Sequence, residues 1–311
     1  MHFTTSVAAV LAVTSSAFAL PTASSAGNSI VAYWGQGDTN IPLSDVCSNP
    51  NVDIVVLSFV NIFPDQSSSG WPGTNFGSSC GGQTLSKSDG TATDLLDGAH
   101  CGTMIPDIAA CQTAGKKVLL SIGGGYPTNQ WLHSDASAIS FAQFLVGAFG
   151  APTASWTAAN GPRPIGDSQV DGFDFDIETS FPVAPVFDGL SYSDAASRGY
   201  ATMANTLHDL GFLTSTAPQC VRPDAHLGPA LDNAWFDYVF VQFYNTAGCS
   251  AMDFIQGTPD SFNFNAWASA SYVNPDTEVY IGLPASTASA NPGFYLTPTE
   301  VYTLPLLLPA T

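Results

Sequence analysis

The residues of this chain best suited to do chemistry lie in one run, Asp171-Gly172-Phe173-Asp174-Phe175-Asp176-Ile177-Glu178. Asp174, Asp176 and Glu178 recur at every second position, with Phe173, Phe175 and Ile177 interleaved. Side chains of a β-strand alternate between its two faces. On a strand, the three acids share one face and the apolar residues the other. A solvated surface strand would not be so apolar on its second face, so one face packs on helices and the other lines an interior. Alternate residues on a strand lie roughly 6.5–7 Å apart. Acids crowded that closely in a low-dielectric interior cannot all ionise cheaply, so the row is expected to hold at least one proton that belongs to the set. Glu178 ends the run and is best placed to meet a ligand; a protonated carboxyl there is a general acid. The same residues have two competing readings. Oxygen ligands for Mg²⁺ or Ca²⁺ usually come from several loops, and no other acidic group obviously joins these. A polar core satisfied by hydrogen bonds is ordinary for one Asp and poor for three in line.

Other elements must hold this strand in place. Strand-like runs rich in Val, Ile, Leu, Phe and Tyr occur at 30–34, 52–60, 117–122, 170–178, 212–217, 236–244 and 278–283. Segments such as 140–149 and 193–210 suit helices. This alternation, with nearly continuous apolar strands, predicts a parallel sheet covered on both faces. Seven runs and no Gly-rich dinucleotide fingerprint favour a (β/α)8 TIM barrel over an open sheet. Chemistry in such barrels sits at the carboxyl ends of the strands. Glu178 ends the fourth run, Tyr244 the sixth, and Gly123-Gly124 follows the third. Residues 64–100 lack clear periodicity and read as a long excursion after the second strand.

With 311 residues, 45% of them apolar, a large core can be buried in one domain. Twenty-five acidic residues against six basic ones give a net charge of −19. That balance excludes nucleic acid as a partner, because its binding needs Lys and Arg on the phosphates, and argues against anionic membranes. Val7–Val13 is a short apolar run before a small-x-small site at Ala17-Phe18-Ala19. It predicts a secretory signal peptide over 1–19 and a catalytic domain over 28–311. The run is too short to span a membrane. Six cysteines in a secreted, extracellular chain predict three disulfides, with the pairing open. No zinc spacing is present and no metal or cofactor is implied. A monomer is expected.

Five motifs in order then point to a family. The acidic run matches DGxDxDxE throughout, Ser121-Ile122-Gly123-Gly124 matches SxGG, and Tyr33-Trp34-Gly35-Gln36 matches a YWGQ opening. Ala217-Pro218-Gln219-Cys220 and Val241-Gln242-Phe243-Tyr244-Asn245 match the ends of the fifth and sixth strands. The chain thus resembles glycoside hydrolase family 18, in its plant and fungal class III branch, over about residues 30 to 300. The resemblance implies a chitinase acting on chitin or chito-oligosaccharides with retention of configuration, by the substrate-assisted route that departs from the two-carboxylate scheme. It implies Glu178 as the acid and Asp176 as the group that orients the substrate's acetamide. It further implies Asp174 deeper, sharing a proton with Asp176, and Tyr244 as donor to the acetamide oxygen. Tyr33 and Phe59 are candidates to line the cleft, Gln242 is a candidate polar contact, and Gly124 is expected to leave room for the sugar. The resemblance also implies the bridges Cys47–Cys111, Cys80–Cys101 and Cys220–Cys249, the last joining the ends of neighbouring strands.

The match stops near the end of the chain. Family members close the barrel with an eighth strand whose Trp floors the cleavage site, whereas Tyr302–Leu308 contains Pro305 and no Trp. The expectation is therefore a barrel lacking a normal eighth strand, with an incomplete carboxyl end. Two alternatives to a chitinase share the scaffold: an endo-β-N-acetylglucosaminidase acting on N-glycans, and a non-catalytic chitin-binding lectin or enzyme inhibitor. The latter usually lacks the acid Glu or central Asp, both present here.

Overall fold

The computed structural model describes residues 29–37, 41–125, 130–178, 186–187, 190–191 and 198–304. The expected leader and residues 305–311 lie outside them. Seven strands form one parallel sheet in chain order: β1 (Ile30–Trp34), β2 (Val52–Ile62), β3 (Lys117–Gly124), β4 (Gly172–Ile177), β5 (Leu213–Thr216), β6 (Tyr238–Gln242) and β7 (Glu278–Gly282). Every expected strand is present, shifted by a residue or two at its ends.

The sheet curls. Tyr33 on β1 meets Phe240 on β6 edge to face at 6.2 Å, and the Tyr280 hydroxyl on β7 reaches Ser29 just before β1. Among the described residues β1 and β7 are the ends of the sheet and no eighth strand joins them. After β7 the chain makes a 3₁₀ turn (Thr287–Ser289) and a short helix (Pro298–Val301). Ile30 and Tyr33 on β1 are exposed.

Alternation divides the core into two layers. Ile54, Val56, Leu119, Ala217 and Phe240 fill the inside of the curl, with Val31, Leu213, Tyr238 and Tyr280 against them. Val55, Leu57, Val118, Leu120, Phe173, Phe175, Val239 and Val241 point outward into a larger layer under the helices. The helix Asp135–Phe149 begins with a reciprocal Ser134–Ser137 capping box, which satisfies otherwise orphaned N–H groups. It is longer than the periodicity predicts because Ser and Ala at its start carry no apolar stripe. The helix expected over 193–210 is described from Arg198 to Asp209.

The amino ends of the strands are tied by a repeated device. Asp53 accepts from the Ile30 N–H, Asp171 from the Val118 N–H and Asp237 from the Thr214 N–H, at 2.8–2.9 Å. Each Asp enters one strand and satisfies the start of the strand before it. Asp171, the first acid of the chemical run, is therefore structural and stands at the opposite end of β4 from Glu178.

The excursion after β2 has strands of its own. Thr84–Ser86 pairs with Ala92–Leu96, and Gly73–Thr74 pairs antiparallel with β2. These pieces are two to five residues long, too short for a periodic signal. Three disulfides pair Cys47 with Cys111, Cys80 with Cys101 and Cys220 with Cys249. No helix among the described residues is long and apolar enough to cross a membrane.

Candidate active site

The acid row occupies the inner face of β4, and the register of its neighbours decides what each acid meets. Ser121 on β3 and Ser215 on β5 stand directly opposite Asp174. Both hydroxyls donate to it, at 2.6 and 2.7 Å, and the Tyr33 hydroxyl donates from β1 at 2.9 Å. Asp174 is fully buried. Burial pushes its pKa up, and the donated bonds from Ser121, Ser215 and Tyr33 oppose that rise.

One step outward, Asp176 is flanked by Gly123 across the ladder, so no donor side chain reaches it from β3. A Cβ on Gly123 would fall 2.2 Å from the Asp176 carbonyl oxygen, and its φ of +115° suits glycine alone. Asp176 instead accepts from the Gln242 amide of β6 at 2.8 Å. The same amide nitrogen lies 3.3 Å from Glu178 Oε1 and 3.0 Å from the Ala217 carbonyl. Burial, then the charges of Glu178 and Asp174, raise the Asp176 pKa well above the ordinary carboxylate value, and its carboxyl hydrogen-bonds to that of Glu178. Asp176 and Glu178 are thus the joined pair of the row, both within reach of the Gln242 amide. Three hydroxyls donate to the Asp174 oxygens, whereas Asp176 meets the Gln242 amide and the Glu178 carboxyl.

Glu178 stands at the carboxyl end of β4, half-buried. A Cβ on Gly125 would come within 2.9 Å of its Oε2, so the missing side chain at Gly125 makes the space in which the Glu178 carboxyl lies. Tyr244, two residues beyond Gln242, is also half-buried. Burial, then the Asp176 and Glu178 charges, push its hydroxyl pKa up and keep it a donor.

The remaining candidates make contacts within the chain itself. The Tyr33 hydroxyl serves Asp174; burial of that group and the charges of Asp174 and Asp176 keep it protonated, while 42% of the residue stays exposed. Gly124 does leave room, but the Phe59 ring takes it: a Cβ there would lie 2.9–3.1 Å from three ring carbons. Gln242 is bonded to the acids themselves. Ser215 and Gly125 were not singled out from the sequence. Alternation with Leu213 and Ala217 could have marked Ser215 as inward; nothing local marks Gly125.

A curled parallel α/β sheet with acids converging at the carboxyl end of one strand places the chain among (β/α)-barrel proteins with an acidic active-site strand. The chain belongs to the glycosyl hydrolases family 18, whose profile matches residues 29–295. It is 45% identical over 313 aligned residues to endochitinase A1 of Aspergillus fumigatus, an alignment covering 98% of this chain and 32% of that protein. The chain spans about a third of the length of the curated relatives it matches. Among solved structures it is similar to a chitinase from Ipomoea carnea, with 29% identity, a TM-score of 0.65 and coverage of 88% of this chain and 87% of that one. It is equally similar to a xylanase and α-amylase inhibitor protein from Scadoxus multiflorus, with 28% identity, a TM-score of 0.65 and coverage of 90% and 88%.

Proposed function

We propose that the chain is a secreted chitinase that cleaves β-1,4 links between N-acetylglucosamine units with substrate assistance. The observation that carries this reading is the pairing of the Asp176 and Glu178 carboxyls at the carboxyl end of β4, with the Gln242 amide nitrogen 2.8 Å from one and 3.3 Å from the other. Glu178 donates the proton to the glycosidic oxygen as the bond to the anomeric carbon breaks. The acetamide carbonyl oxygen of the substrate forms the new bond to that carbon, giving a cyclic oxazolinium-like intermediate. Asp176, released from Glu178, accepts from the acetamide N–H and offsets the positive charge, while the Tyr244 hydroxyl donates to the acetamide oxygen. Asp174 stays below, fixed by its three hydroxyl donors, and its charge supports that of the intermediate. Glu178, now ionised, takes a proton from water as the water opens the ring with net retention. Substrates lacking a 2-acetamido group have no nucleophile in this scheme, which selects chitin over cellulose. The three disulfides suit an oxidising, extracellular setting; the leader over 1–19 and a barrel unit from residue 28 onward belong to the same proposal, as does a monomeric state.

The test is incubation of the purified protein and its Glu178→Gln variant with N-acetylglucosamine oligomers, with product lengths read by mass spectrometry. Release of shorter oligomers by the wild type, lost in the variant while binding persists, is expected; equal turnover by both would refute the assignment. A second reading, a binding protein or inhibitor without turnover, draws support from the likeness to the Scadoxus multiflorus inhibitor protein. It predicts oligomer binding with no new reducing ends.

A further inference from the structure

A pocket of about 440 Å³ lies on the far side of the sheet from the acid row. It forms where two stretches of the chain after β2, residues 78–81 and 100–104, meet the start of the helix Leu43–Ser48. The Cys80–Cys101 bridge joins those two stretches. Tyr33 on β1 points inward and puts its hydroxyl on Asp174, whereas Trp34, the next residue, belongs to the outer layer and lines the pocket. Trp34 ends β1, and Leu43 and Met104 begin the helices that lead to β2 and β3. The pocket therefore shares the carboxyl-end face of the sheet with Glu178 without belonging to its groove.

The lining has two characters. Trp34, Leu43 and Met104, each at most 7% exposed, supply an apolar floor, which Pro42 and the disulfide extend. Hydroxyl and peptide groups supply the rest. Ser78 donates to the Gly37 carbonyl at 2.8 Å and Thr103 to Asp107 at 2.7 Å, so both hydroxyl oxygens keep lone pairs to accept with. The Ser79 hydroxyl has no partner among the described residues and can both donate and accept. Thr103 is the N-cap of the helix Met104–Thr113 but makes no capping bond, since its hydroxyl is committed to Asp107. Backbone N–H groups at that helix start are left as donors. Among the described lining residues the one ionisable side chain is His100, already paired with Asp97 at 3.1 Å. Such a lining selects neither an anion nor a cation. An apolar floor with neutral donors and acceptors around it, in a volume ordinary for small-molecule sites, matches a neutral sugar ring, which has an apolar C–H face and a rim of hydroxyls.

We propose that this pocket is a second saccharide site, taking one neutral pyranose ring such as an N-acetylglucosamine unit. The C–H face of the ring rests on the floor at Trp34 and Met104, and its hydroxyls meet Ser79, Thr103 and the open N–H groups. On a polymer the pocket holds a sugar outside the groove, so the protein grips insoluble chitin at two points. That last consequence rests on the proposed function; occupation of the pocket by a sugar does not.

Amide ¹H–¹⁵N NMR of the whole protein reads the site directly. N-acetylglucosamine should shift the Gly81, Gly102 and Thr103 amides saturably, with a Kd on the order of 1 mM for a ligand of about 15 non-hydrogen atoms. Glucosamine and glucuronate should bind roughly tenfold more weakly, because a charge finds no partner there. Ser79→Trp fills the pocket and should abolish these shifts while those around Gly125 in the groove persist. Ser79→Ala removes one hydroxyl, should weaken binding roughly three- to tenfold, and serves if the tryptophan variant does not fold. Retention on insoluble chitin should fall at least about threefold in Ser79→Trp, by more than turnover of a soluble tetramer falls. Absence of saturable shifts at the three amides of the wild type overturns the proposal, as does equal binding of the charged sugars. Equal losses on polymer and tetramer would make the pocket part of the groove and overturn its separate role. A wild type that cuts no oligomer while its three amides still saturate would refute the chitinase reading and leave the second site supported.

Discussion

Replacing Asp176 by asparagine should make the protein more stable at neutral pH while abolishing turnover. Asp176 is buried, and burial with the Glu178 and Asp174 charges raises its pKa well above the ordinary value. In the unfolded chain the same carboxyl titrates near its ordinary value of about 3.9. Between these two values the native state holds a proton that the unfolded state has lost. The stability that this carboxyl contributes is therefore fully present below the unfolded pKa. It declines as pH rises, by about 1.4 kcal/mol per pH unit, until the native pKa is passed. In a chain of this size the slope corresponds to roughly 2–4 °C in Tm per pH unit. Asparagine has no proton to lose, and its Oδ1 can still accept from Gln242. The stability difference, variant minus wild type, should then be small near pH 4 and grow to a plateau on the alkaline side. Asp174 is shifted in the same direction, but it is present in both proteins and cancels. Guanidinium denaturation midpoints, measured with disulfides intact across this pH range, read the difference directly. A difference that stays flat with pH, or a variant weaker than the wild type above neutrality, would refute the view that the row is held against its own electrostatic preference.

Two further outcomes follow from neighbours of the row. Gly125→Ala should lower turnover at least about tenfold with a Tm within a few degrees of wild type, since the added Cβ meets only the movable end of Glu178 and about 1.4 kcal/mol of lost transition-state stabilisation is tenfold in rate; full activity in a folded variant would mean that Glu178 does not need its present position. Cys220→Ser with Cys249→Ser should cost about 3–4 kcal/mol in denaturant titrations, from the loop entropy of a 29-residue separation. An unchanged midpoint would show that the segment after β5 is held by its hydrogen bonds alone.

The period-two pattern of Asp174, Asp176 and Glu178 was readable directly, because a strand's alternation is a local rule and the apolar residues between the acids leave only one arrangement. The seven strands were readable for the same reason, and their ends were off by a residue or two because pairing with neighbouring strands, not the apolar run, sets where a strand stops. The short strands at 73–74, 84–86 and 92–96 were not, since two to five residues cannot show a period. Partners across the sheet were the other gap. That Ser121 and Ser215 flank Asp174, while Gly123 flanks Asp176, follows from the register of three strands distant in sequence. That register gives Asp174 two of its three hydroxyl donors and leaves Asp176 to the Gln242 amide and the Glu178 carboxyl.

Residue types and their spacing thus determined that this chain carries a row of acids on one face of a buried parallel strand. Which partners each acid meets was decided only by tertiary structure. Burial, neighbouring charge and hydrogen-bond donors all come from other strands, and a carboxyl's affinity for its proton depends on those surroundings rather than on its place in the chain.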